Sequence, residues 1–175
     1  KAAETLGMKP EKIEVLLRAN IVKNAMGVGI PGTDMVGLPI AVALGALIGR
    51  SEYQLEVLRD CTPEAVEQGK LFIAEKRICI SLKEDITEKL YIEVICNSGD
   101  KTAKAVISGG HTTFIYIAMN ENVLLDKQQA TAEEEEETSP ELNLYKVYDF
   151  ALTAPLDEIR FILDTARLNK AAAEQ

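Results

Sequence analysis

The chain has 175 residues, 47% of them hydrophobic, with 19 basic and 28 acidic side chains and a formal charge of −9, a balance that excludes disorder over most of the chain and describes a soluble globular domain. A domain of this size buries about 70% of its unfolded surface, so its core needs neither disulfides nor a metal. The acid excess excludes a phosphate-backbone-binding surface, which rests on clustered Lys and Arg, and points to small molecules or proteins rather than nucleic acid.

Ala2, Ala3, Leu6 and a stop at Gly7 read as the end of a helix, so the chain opens in mid-pattern, as an internal fragment of a longer protein would. Lys12 to Ala19 alternates Ile13, Val15 and Leu17 against Glu14, Leu16 and Arg18, the period of a half-buried strand. Six of the 11 glycines then fall between Asn24 and Gly49. Met35 to Ile48 carries no charge and is apolar all round, which predicts a helix buried on every side. Ser51 to Asp60 has the Leu55 and Leu58 spacing of a further helix. Thr62-Pro63-Glu64 places a hydroxyl N-cap before Pro and an acid, and opens another.

Arg77 to Leu82, Leu90 to Asn97, Thr102 to Ser108 and Thr113 to Met119 are rich in Ile, Val and Tyr and read as an antiparallel meander. Its joints are Asn97-Ser98-Gly99-Asp100, Gly109-Gly110 and Asn120-Glu121-Asn122. The five acids from Glu133 to Glu137 repel one another and predict a flexible acidic loop over 127–139. Ser139-Pro140-Glu141 opens a helix with a stripe of Leu144, Val147, Tyr148 and Ala151. Thr153-Ala154-Pro155 opens the last, with Leu156, Ile159, Ile162, Leu163 and Ala166, and both stripes are expected to bury against the sheet. The whole predicts a single α+β domain over 1–175, a mostly antiparallel sheet of about five strands packed with about five helices.

Cys61, Cys79 and Cys96 form no CxxC pair, which favours a reducing, cytoplasmic setting. Cys79 and Cys96 sit in strand patterns beside Ile78, Ile80, Val94 and Ile95 and read as core, whereas Cys61 reads as exposed. No basic stretch leads into an apolar one at the start, and Met35 to Gly49 falls short of the roughly 20 residues of a membrane span. No export and no membrane insertion is expected.

Gly27-Val28-Gly29-Ile30-Pro31-Gly32 matches GxGxxG between a strand and a helix, but a dinucleotide fold needs a second parallel strand next, with an acid to hold the ribose. Two readings of the segment remain. Its N–H groups can cradle a substrate carboxylate at a helix N-terminus, or Gly27, Gly32, Gly37 and Gly45 allow close helix-to-sheet packing. His111 is the single histidine, on a Gly109-Gly110 turn beside Thr112 and Thr113. It can exchange a proton with a bound ligand or be an ordinary turn residue, and alone it makes no metal site.

The blocks Asn24-Ala25-Met26-Gly27-Val28-Gly29-Ile30-Pro31-Gly32-Thr33, Gly37-Leu38-Pro39-Ile40-Ala41 and Ala43-Leu44-Gly45-Ala46-Leu47 resemble the L-cysteine desulfidase family. That family is similar in part to the alpha domain of iron–sulfur L-serine dehydratases. Leu55-Glu56-Val57-Leu58, Ser81-Leu82-Lys83-Glu84, residues 88–94, Gly109-Gly110-His111-Thr112 and the helix from Pro155 to Asn169 extend the likeness over nearly the whole chain. The resemblance implies a [4Fe–4S] lyase that eliminates sulfide from L-cysteine to leave pyruvate and ammonia, with serine as an alternative substrate. It implies that Asn24, Gly29, Gly32, Thr33 and Thr112 face the substrate and that His111 is catalytic. The family's cluster cysteine lies in a Gly-Cys-Thr-Glu-Pro segment upstream of Lys1, and its other ligands lie downstream, in a flanking domain. No metal ligand and no cluster is therefore expected in this chain, which would be inactive alone. The alternative is a non-catalytic module that binds a small anion or forms a homo-oligomer through its sheet edge. The 24–33 and 109–112 segments are expected to meet at one end of the sheet.

Overall fold

The computed structural model describes residues 1–30, 32–84, 86–128 and 143–174, and the chain falls into two compact units, Lys1–Ala132 and Glu133–Gln175. The first unit is built on six strands in the order β4-β1-β5-β6-β7-β8: β1 Lys12–Leu17, β4 Ile78–Leu82, β5 Tyr91–Ser98, β6 Lys101–Ser108, β7 Phe114–Met119 and β8 Asn122–Asp126. Every pair in that sheet is antiparallel except β1 with β4. The expected α+β class with a mostly antiparallel sheet is what forms.

Alternation along the strands decides which face is covered. Ile13, Val15 and Leu17 stand opposite Cys96, Val94 and Ile92 of β5, and these in turn oppose Ala103, Ala105 and Ile107 of β6. This face carries the core: Ile13, Leu17, Cys96 and Ala103 are buried, together with Ala2 and Leu6 of the short helix α1, Ala2–Leu6. Helix α1 packs on β5, β6 and β7 and ends where Gly7 takes φ 71°, a conformation that suits glycine.

The meander runs over β5 to β8 and not over the four expected strands. β4 leaves it, pairing in parallel with β1 at the opposite edge. A parallel partner needs a crossover, and the long segment from α2, Ala19–Ala25, through α3, Leu38–Leu47, to α4, Pro63–Ala74, supplies one. Strand β8 escaped the sequence reading because Asn122-Val123-Leu124-Leu125-Asp126 is short and largely exposed. Gly99 (φ 57°) and Asn120 (φ 51°) turn the β5–β6 and β7–β8 hairpins.

Three further expectations need correction. The apolar run from Met35 to Ile48 is not one helix buried on every side. Met35–Val36 is β3, which pairs with β2, Gly29–Ile30, and α3 buries only Ile40, Ala43 and Leu44, leaving Val42, Ala46 and Leu47 half-buried. Ser51 to Asp60 is no regular helix either: Ser51–Glu56 is a 3-10 stretch broken at Gln54. Cys79 is exposed, because it pairs with Glu14 on the face opposite the core. The Thr62 prediction fits: the Thr62 hydroxyl accepts a hydrogen bond from the Ala65 N–H at 3.3 Å, and Pro63 opens α4.

In the second unit, α5, Leu144–Thr153, starts at Asn143, whose Oδ1 accepts from the Lys146 N–H at 3.0 Å. Helices α6, Leu156–Ile159, and α7, Phe161–Ala173, follow. Thr153 closes α5, and Pro155 is the cap before α6. Within this unit Leu144, Val147, Tyr148, Leu156, Ile162 and Leu163 are not covered, since so short a unit cannot enclose a core of its own. The Ser139-Pro140-Glu141 start and most of the 127–139 loop lie outside the described residues.

Candidate functional site

The uncovered part of the core face forms the floor of a cleft of about 260 Å³. Ile92 and Val94 of β5, Ala105 and Ile107 of β6 and Phe114 of β7 line it. A register shift after Val106 pairs Ile107 with Phe114, and the chain then turns at residues 109–112. Ser108 N–H donates to Thr113 O at 3.2 Å, Gly110 N–H to Ser108 O at 3.0 Å, and Thr113 N–H to Gly110 O at 3.2 Å. Gly109 takes φ 77°, which suits glycine, and a Cβ on Gly110 would stand 2.8 Å from Thr113 Oγ1, so that hydroxyl would have to turn away. It carries His111 and Thr112, both exposed, to the rim of the cleft.

Ser51, Gln54 and Val57 form the facing wall. Ser51 is tied to α1: its N–H donates to Glu4 Oε1 at 2.5 Å and its hydroxyl to Oε2 at 2.6 Å. Burial alone would raise the Glu4 carboxyl, but these bonds from Ser51 prevail and hold it down at about 2. Tyr53 is gripped from both sides, its hydroxyl accepting from Arg50 Nη1 at 3.2 Å and its ring lying 3.8 Å from the Arg59 guanidinium. Between these anchors Gln54 adopts φ 50° and ψ −113°.

The predicted site residues do not all meet here. His111 and Thr112 share this cleft, whereas Gly32 lines a second, more open one of about 560 Å³ with Ile30, Leu55, Leu58 and Cys61. Val57 belongs to both, so the 51–57 segment is the wall between them. Asn24 is exposed in the last turn of α2 and Gly29 is exposed in β2, and neither lines either cleft. Thr33 is buried, and its hydroxyl donates to Ile30 O at 2.7 Å and accepts from the Met35 N–H at 3.1 Å, which fastens the β2–β3 hairpin.

The GxGxxG segment follows α2 rather than a strand, and it forms that hairpin. Within it the Val28 N–H bonds to Ala25 O, while Thr33 N–H bonds to Ile30 O and Gly37 N–H to Val28 O at 2.8 Å just beyond it. Of the four glycines expected to relieve packing, only Gly37 does so, since its Cβ would lie 3.1 Å from Met26 O while Gly27, Gly32 and Gly45 have open space. A larger cleft of about 640 Å³ beside the end of α3 brings Glu4, Lys9, Arg50 and Asp60 together without any histidine, cysteine or hydroxyl.

The cysteines do not fit an iron–sulfur cluster. Cys79 pairs with Glu14 and Cys96 with Ile13, neighbours on β1, so the two project to opposite faces. Burial pushes the Cys96 thiol up to about 11, away from the thiolate that iron binds. Among the described residues no three His, Cys, Asp or Glu side chains are placed to hold a metal.

The opposite face of the sheet holds a group that the sequence reading missed. Glu93 is buried at 3% exposure, yet its carboxylate accepts from Tyr91 Oη at 2.8 Å and pairs with Lys104 at 2.7 Å and Lys83 at 3.2 Å. Burial would raise its pKa, but the bonds from Lys104, Tyr91 and Lys83 lower it. The pairing of Glu93 with Val106 and with Leu16 places it opposite the cleft. The alternation of β5 could have placed Glu93 on that face, but nothing in it announces burial.

The chain is 88% identical to a UPF0597 protein of Bacteroides thetaiotaomicron and 77% identical to one of Bacteroides fragilis, each over all of this chain and 41% of the relative. It is 42% identical to a UPF0597 protein of Chromobacterium violaceum over 99% of this chain and 40% of the relative. The chain therefore spans about two fifths of the length of the curated relatives it matches, and their names state no activity. No family model and no solved structure matches it.

Proposed function

We propose that this chain is the substrate-facing part of an amino-acid β-elimination lyase that releases sulfide from L-cysteine, with L-serine as the oxygen counterpart. The observation that carries the reading is the cleft itself. An imidazole and a hydroxyl stand at the rim of a small apolar pocket, a volume suited to one amino acid with its reactive end toward His111. The order of sequence blocks shared with L-cysteine desulfidases supports the same chemistry. Its iron ligands belong, in this reading, to the part of the longer protein outside this chain. Three free cysteines agree with a reducing cytoplasm as its setting.

Elimination removes the α-proton, and the electron pair left behind forms the Cα–Cβ double bond as the Cβ–S bond breaks. The sulfur leaves as hydrosulfide and takes a proton. The aminoacrylate becomes an imine, and water converts it to pyruvate and ammonia. In this reading His111 moves one of these protons, and Thr112 hydrogen-bonds the substrate beside it. The floor of Ile92, Val94, Ala105 and Ile107 keeps water from that end.

In the intact protein, His111→Ala should lower turnover of L-cysteine on the order of 10²–10³-fold. It should cost the fold under about 1 kcal/mol, since the side chain is exposed. Sulfide release, melting temperature and iron content are measured on one sample. A variant with parental iron and parental turnover makes His111 a turn residue and removes the reading.

A further inference from the structure

We infer that Gln54 is a specificity residue of the His111 cleft, its carboxamide donating a hydrogen bond to the α-carboxylate of the bound amino acid; this rests on the function proposed above. Four non-glycine residues among those described have positive φ: Asp34, Gln54, Lys76 and Asn120. Asp34 and Asn120 are at hairpin tips and Lys76 follows the end of α4, where a left-handed residue is the ordinary way to reverse a chain. Gln54 is the kink that joins two short 3-10 turns, at a turn position that glycine or asparagine ordinarily fills. It lies inside the Ser51–Glu56 stretch with ψ −113°, a combination that L side chains seldom hold without a compensating contact.

The fold maintains this kink from outside. Ser51 is held by both oxygens of Glu4, and Tyr53 by Arg50 and Arg59, so the wall cannot relax at Gln54 alone. The side chain gives nothing back to the fold, since it is exposed and accepts or donates no hydrogen bond to any described residue. It does line the cleft that His111 and Thr112 also line. Ser51, the other polar group of that wall, already spends its hydroxyl proton on Glu4. Lys1 also lines the cleft, and its Nζ donates to Glu4 Oε2 at 3.2 Å. Among the side chains of this wall the amide of Gln54 is the donor with no bond to a described residue. A polar head seated against Gln54 leaves the β-carbon and its leaving group toward the His111 turn, over the apolar floor.

Strain and contact can be separated in the intact protein by two substitutions. Gln54→Gly removes both, so it should melt about 2–4 °C higher while KM for L-cysteine rises about 3- to 10-fold, the value of one hydrogen bond, with kcat unchanged. Gln54→Ala removes only the amide and should raise KM equally without the gain in melting temperature. Lys76→Gly, outside the cleft, should melt higher at parental KM. Competition by mercaptopropionate, which keeps the carboxylate, should weaken by the same factor in both Gln54 variants, whereas competition by cysteamine, which lacks it, should not change. Parental KM in both Gln54 variants overturns the inference, and equal weakening of cysteamine overturns the choice of the carboxylate. His111→Ala, assayed alongside, tells the two readings apart: if it is impaired and the Gln54 variants are not, only the role of Gln54 falls.

Discussion

Replacing Glu93 by Gln keeps its shape and removes its charge, and the structure sets the size of the effect. The Glu93 side chain is 5% exposed, while Lys83 and Lys104 are 34% and 36% exposed. Breaking a fully buried ion pair costs about 3–5 kcal/mol, and breaking an exposed one about 0–1 kcal/mol. With the acid inside and both cations reaching solvent, about 2 kcal/mol is expected, or about 4–8 °C in melting temperature for a protein of this size. Lys104→Met should couple to Glu93→Gln more strongly than Lys83→Met does, since its contact is 2.7 Å against 3.2 Å. The pH dependence has a definite sign. The folded carboxyl lies below its ordinary 4.5, so its stabilisation is complete above that value and is lost as pH falls through the folded pKa. The gap in melting temperature between parent and Glu93→Gln should therefore close under acid. A variant that melts within about 1 °C of the parent at neutral pH would show that the network is solvated and contributes nothing.

Thr62→Ala should cost about 1 kcal/mol, read as a fall of about 2–4 °C in melting temperature, because the α4 N-terminus loses the bond to its Ala65 N–H; Thr62→Ser should restore most of it. A maleimide should label exposed Cys79 quickly in the native protein and reach Cys96, 1% exposed with its thiol raised to about 11, only on unfolding. Labelling of Cys96 at the native rate of Cys79 would refute its placement in the core.

Local chemistry was legible wherever one residue type answers one backbone need. Thr62-Pro63-Glu64 opened α4, Gly99 and Asn120 turned hairpins, and the alternation of Ile13, Val15 and Leu17 put β1 in the sheet. What failed depended on partners far along the chain. Nothing between Arg77 and Leu82 says that β4 will pair with β1 and not with β5, because parallel and antiparallel neighbours ask for the same side chains on the core face. Likewise the charge-free run from Met35 to Ile48 is consistent with burial all round. The structure covers only the Ile40, Ala43 and Leu44 side, against α4 and the core, and uses the first two residues as a strand.

The site divides along the same line. His111 and Thr112 could be picked out from a turn in which Gly109 takes φ 77°, and that turn does reach a cleft. The Gly-rich segment looked like the other half of the site because glycines expose backbone N–H groups, but that argument assumes the N–H groups are free. In the structure the Val28 N–H is bound to Ala25 O, Gly29–Ile30 is a hairpin strand rather than a loop at a helix N-terminus, and Asn24 and Gly29 line neither this cleft nor the one that Gly32 lines. The wall that does face His111 comes from Ser51, Gln54 and Val57, a stretch whose sequence reads as an ordinary helix. Its departure from helix is imposed by Glu4, 47 positions away from Ser51, and by the clamp on Tyr53. A kink made by distant anchors leaves no mark on the residues that kink, so Gln54 becomes visible as a functional candidate only once the backbone angles are known.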